Sequence, residues 1–82
     1  MPAPGGFVTC RVERVGPSED GNINVWLTDQ GGKFSHWFVA MAAMKREILS
    51  TALTAISTGL PVDAAVSSTD EYSQLNRIYV RR

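Results

Sequence analysis

The chain has 82 residues, eight basic and eight acidic side chains, one cysteine and one histidine. That length allows one domain. The inventory excludes an intrachain disulfide, a standard zinc site with its roughly four nitrogen or sulfur ligands, the basic excess of a nonspecific nucleic-acid binder, and any run near the ~20 apolar residues of a membrane span.

Residues 1–6, MPAPGG, form a Pro/Gly arm ahead of a single domain at 7–82. The arm has no basic segment and no apolar segment, so it does not read as a signal peptide. The chain as given is expected to be cytoplasmic, with secretion of a processed form left open. The lone Cys10 fits a reducing compartment.

From Phe7 to Val15 the pattern alternates, with Val8, Cys10 and Val12 on one face and Thr9, Arg11 and Glu13 on the other, as in a half-buried strand. Gly16 to Gly21 is turn chemistry ending in Asp-Gly. Asn22 to Thr28 alternates again, setting Ile23, Val25 and Leu27 against Asn24, Trp26 and Thr28. Asp29-Gln30-Gly31-Gly32 reverses the chain into a third strand, Lys33 to Val39. Phe34, His36 and Phe38 share one face of it, Ser35, Trp37 and Val39 the other, and the pattern leaves open which face is inward. Such short connections predict an antiparallel meander.

The period then changes. Met41, Met44, Ile48, Leu49, Ala52, Ala55 and Ile56 recur at three and four residues, the apolar stripe of a helix of about 16 residues. Its start has no Ser, Thr, Asp or Asn cap. Its stop is well marked: Gly59 for the left-handed position, Leu60 as the hydrophobe that folds back, and Pro61 to forbid continuation. Val62 to Val66 is a fourth strand, residues 67–71 a polar turn, and Tyr72 to Arg82 a fifth strand that sets Asn76, Ile78 and Val80 opposite Leu75, Arg77 and Tyr79.

The order is strand, strand, strand, helix, strand, strand, so the fold class is mainly β with one helix. Five short strands protect their edges by closing into a barrel, and a helix between the third and fourth strands can plug one end. This is the layout of the OB-fold. The segments LSTALTAISTGLPVDAAV and LNRIYV, at 49–66 and 75–80, resemble small bacterial OB-like proteins, whose layout is similar to the B subunits of pentameric AB-type toxins. The resemblance implies a barrel that is one subunit of a ring, with helices lining the centre, and a glycan as a possible ligand.

The residues that invite a functional reading are Trp26, Trp37, Tyr79 and Arg77, as an interface or ligand face. Aromatic side chains are enriched at subunit interfaces, and OB barrels stack bases on sheet aromatics. Trp37, Tyr79 and Arg77, with the terminal Arg81 and Arg82, would suit a single-stranded nucleic acid. His36 has no motif around it and reads as a hydrogen-bonded structural residue, Cys10 as a small core residue, and Met41 with Met44 as core. No nucleotide, metal or nucleophile motif is present, so neither a cofactor nor an enzyme is expected. A domain this small is thinly stabilised and relies on disulfides, metals or oligomerisation. With the first two removed, the expectation is a self-associating binding and assembly module that takes a protein or glycan partner.

Overall fold

The computed structural model describes residues 7–81. The arm at 1–6 and the terminal Arg82 lie outside the described residues. The chain forms five strands, β1 (Phe7–Pro17), β2 (Ile23–Asp29), β3 (Ser35–Ala40), β4 (Val62–Val66) and β5 (Gln74–Val80), with one helix, α1 (Lys45–Thr58), between β3 and β4. They form a closed barrel in the order β1-β2-β3-β5-β4. The expected meander is present: β1 and β3 both pair antiparallel with β2. Closure depends on β1 serving two neighbours, since Phe7–Cys10 pairs with β4 and Cys10–Pro17 with β2. The last seam is short and parallel, joining Val39 to Gln74 and Ala40 to Leu75.

Inward residues alternate as a half-buried sheet requires. Phe38, Leu27, Leu75, Val25, Val62 and Cys10 are fully buried, with Ile48 of α1 among them. Two irregularities interrupt the alternation. In β1 Val12 pairs with Leu27 and Arg14 with Trp26, so Glu13 is an extra residue. In β5 Arg77 pairs with Ala65 and Leu75 with Val66, so Asn76 is extra. Each is a bulge, which leaves one residue unpaired and bends the strand. The second corrects the expected facing of β5: Leu75 is inward together with Ile78, because the bulge reverses the alternation between them. The fifth strand is also shorter than expected, since Tyr72 and Ser73 belong to the turn that precedes it.

The helix differs at its start. The chain enters through a 3-10 turn, Ala42–Met44, with no side-chain cap, and the α-helix proper begins at Lys45. Ile48, Ala52 and Ala55 are its buried stripe, and the two alanines let the helix sit close over the barrel. Met41, Met44 and Ile56, expected in the core, are exposed. Met41 precedes the 3-10 turn and Met44 ends it, ahead of the helix, and Met44 lines a cleft between α1 and β5. Ile56 lies about 80° around the helix from Ile48 at 100° per residue, beyond the edge of the narrow stripe. The stop is as expected: Gly59 has φ +71°, and its N–H bonds Ala55 O at 2.9 Å.

Candidate functional site

The inward face of β3 is the one that carries Phe38. Phe34 and His36 share that side, half-buried toward the barrel's end. The His36 ring stacks on Phe34 at 5.3 Å and 19°, and meets Phe38 edge-on at 5.0 Å. His36 Nε2 is buried and has no hydrogen-bond partner among the described residues. This corrects the expected hydrogen-bonded histidine, because the imidazole is held by packing between two rings.

Trp37 therefore points outward, into a row built across three strands. The bulge at Glu13 brings Arg14 into register with Trp26, and Trp26 pairs with Trp37. Trp37 O accepts the N–H of Tyr72 at 2.7 Å. Its peptide groups thus face away from β2, and Trp26 with Trp37 is a non-hydrogen-bonded pair, the kind in which opposed side chains come closest. The two indoles meet edge to face at 5.4 Å and 77°. The Arg14 guanidinium carbon lies 5.6 Å from the centre of the Trp26 ring, within cation–π reach. Trp26 Nε1 donates to Ser35 Oγ at 2.9 Å, and that hydroxyl shares a 2.9 Å hydrogen bond with Thr28 Oγ1. The indole is fixed from both sides.

Tyr72 lies beside Trp37 through its backbone. It is the one non-glycine among the described residues with positive φ, at +64°, a conformation that costs an ordinary residue about 1–2 kcal/mol. Its bond to Trp37 O holds it there, and its side chain is 58% exposed. Arg14, Trp26 and Trp37 thus stand in successive columns of one surface, with the Tyr72 backbone bonded beside Trp37. Trp, Tyr and Arg are the types that dominate binding energy at protein interfaces.

Arg77 and Tyr79 do not join this row. The β3–β5 register puts Trp37 level with Tyr72, so Arg77 and Tyr79 lie five and seven residues farther along, roughly 16 and 23 Å at 3.3 Å each. They belong to the opposite surface, around β1, β4 and β5. There Tyr79 packs on Phe7 at 5.6 Å, both about half exposed, and Arg77 pairs with Ala65. Beside them Asp63 Oδ1 accepts from Thr9 Oγ1 at 2.9 Å and from Arg81 Nη1 at 3.2 Å, which ties Arg81 to the barrel. Two hollows beside Phe7, of ≈ 300 and ≈ 340 Å³, are open to solvent. The cleft between α1 and β5, lined by Met44, Ile48, Ile78 and Tyr79, holds ≈ 140 Å³, below the roughly 300–1,000 Å³ of small-molecule pockets.

Charge is distributed by surface. The β1–β2 turn carries Glu19 and Asp20, and the β4–β5 turn Asp70 and Glu71, all exposed. Asp20 is held below the usual carboxylate range, first by the Ser18 hydroxyl and then by the Asn22 N–H. Cys10 lies in the core, where burial and the charges of Asp29 and Asp63 push its thiol up to about 12. It stays protonated and packs as the small core residue expected of it. Among the described residues no three His, Cys, Asp or Glu side chains cluster as metal ligands, and no helix is long and apolar enough to cross a membrane.

Comparison with protein-family models, curated proteins and solved structures finds no match to this chain. The functional reading therefore rests on the geometry of the two surfaces.

Sequence reasoning missed Arg14 in the row and Tyr72 beside it. Arg14 enters through a bulge, and Tyr72 was placed inside the fifth strand. A signal for the first exists: Val12-Glu13-Arg14-Val15 puts two polar residues between two apolar ones, where strict alternation allows one.

Proposed function

We propose that this chain is a non-catalytic docking and assembly module, and that the surface carrying Arg14, Trp26 and Trp37 joins it to further copies. The observation that carries the reading is the ordered row itself. Two half-buried indoles fixed edge to face, one capped by a guanidinium and held by Ser35, form a rigid face that costs little entropy to dock. A domain of this size gains stability by burying such a surface. The same surface is less suited to a nucleic acid. Both turns that flank it are acidic, which repels phosphates, while the basic residues Arg77 and Arg81 stand on the other side of the barrel without a tryptophan.

Light scattering behind size exclusion, across a hundredfold dilution, tests this. The expected result is a multiple of 8.9 kDa for the wild-type chain and a shift toward the monomer for Trp37→Ala, with the far-ultraviolet spectrum preserved. A folded Trp37→Ala variant that keeps the wild-type mass refutes the surface. A wild-type monomer at every concentration refutes self-association.

A further inference from the structure

We infer that the β1–β2 turn shields the chain's one aspartyl-glycine step, Asp20-Gly21, from isomerisation to isoaspartate, and that this step becomes a site of spontaneous modification whenever the turn opens. Asp20 is the only aspartate or asparagine followed by a glycine. A glycine nitrogen has no side chain beside it, so it is the least hindered nucleophile for the carboxyl group of the residue before it. In that reaction the Gly21 nitrogen bonds to Asp20 Cγ. One carboxyl oxygen leaves as water, taking the amide proton and the acid proton, and a five-membered imide results. Water then adds at the carbon that was the Asp20 backbone carbonyl. The chain now runs through Cγ, a free carboxylate is left on Cα, and the mass is unchanged.

The turn demands this pair of residues. Gly21 has φ +88°, a conformation that side chains disfavour. Asp20 closes the loop through its side chain, with Oδ1 accepting from Asn22 N at 3.1 Å, which is an Asx turn. The same turn restrains both reacting groups. Gly21 N–H donates to Ser18 O at 3.0 Å, so the nucleophile must break a bond before it can lose its proton. The Asp20 carboxylate accepts from three donors: the Ser18 hydroxyl and Asn22 N on Oδ1, and Asn22 Nδ2 on Oδ2 at 3.1 Å. Donors on both oxygens favour the charged form, whereas the imide forms from the acid. Ser18 N donates to Asn22 O at 2.8 Å and closes the loop around the pair. Asp20 and Gly21 are both exposed, so the shield consists of hydrogen bonds and not of burial, and it lasts only while the turn is closed.

Accumulation of isoaspartate tests this. The full chain is incubated at neutral pH with and without guanidinium chloride, isoaspartyl carboxyls are labelled by an isoaspartyl methyltransferase, and peptide mapping places them. Residue 20 should convert at least tenfold more slowly in the folded chain than in the unfolded one. Ser18→Ala and Asn22→Ala each remove one side-chain donor from the carboxylate, and should convert several-fold faster than the wild-type chain while their far-ultraviolet spectra stay unchanged. Equal rates for the folded and unfolded wild-type chain, or folded variants as slow as the wild type, overturn the inference. Should the variants lose their fold, the wild-type chain carries the test through amide hydrogen exchange: Gly21 N–H must exchange at least tenfold below its intrinsic rate, and an unprotected Gly21 N–H overturns the shield.

Discussion

Replacing His36 with phenylalanine should stabilise this domain. His36 Nε2 is buried without a partner, and a buried polar atom in that state costs roughly 1–3 kcal/mol. Phenylalanine removes the orphan and keeps the ring between Phe34 and Phe38, where each aromatic contact contributes roughly 0.5–1.5 kcal/mol. The six-membered ring is larger than imidazole, and overpacking opposes part of the gain. The expected net gain is about 1 kcal/mol, or roughly 4–8 °C in Tm for a domain of this size. His36→Ala is the control. It removes the orphan and both ring contacts together and leaves a cavity, so it should be less stable than His36→Phe. The assay is urea denaturation followed by tryptophan fluorescence, at one protein concentration because association shifts apparent stability. A folded His36→Phe variant that loses about 1 kcal/mol with an unchanged m-value refutes the reasoning, because Nε2 must then make a bond that stabilises the native state.

Three further outcomes follow from the same geometry. Cys10, with its thiol pushed from 9.0 up to about 12, should resist alkylation in the folded chain at neutral pH and react once denaturant is added. Because its folded value lies above its unfolded one, its contribution is complete below pH 9.0 and is lost as pH rises toward 12; Cys10→Ala should flatten that part of the stability profile. Gly59→Ala forces a side chain into φ +71° with nothing within 4 Å of the added carbon, so it should cost only the backbone penalty of about 1–2 kcal/mol, read as a lower urea midpoint. Tryptophan fluorescence should be unchanged by an oligothymidine at low salt. Quenching that weakens steeply with salt would move the reading to nucleic acid.

Much of the fold is legible because each signal is local. Alternation in TCRV, INVWL and VDAAV marks strands, and GLP marks a helix stop, so the order of elements and the barrel follow from neighbours along the chain. The start of the helix is not legible in the same way. Met41 and Met44 have the right spacing for its stripe, but spacing assumes a helix already under way, and the chain there is still in a 3-10 turn. Orientation of β3 is open in the sequence for a related reason: both of its faces carry aromatic rings, and only packing into the core cluster selects Phe38, opposite Val25, as the inward one.

The two bulges show why the candidate surface escaped the pattern. Val12-Glu13-Arg14-Val15 and Leu75-Asn76-Arg77-Ile78 share one form, two polar residues between two apolar ones in a strand that otherwise alternates. A strict period of two must assign one apolar residue of each pair to the outside. The structure instead inserts an extra residue, keeps Val12 inward with Val15 and Leu75 inward with Ile78, and bends the strand. That bend increases the local twist in the part of β1 that pairs with β2, three residues past Cys10, where the pairing passes over from β4. The same insertion puts Arg14 opposite Trp26. The cation reaches the tryptophan row because one extra residue at Glu13 shifts the register of β1 against β2.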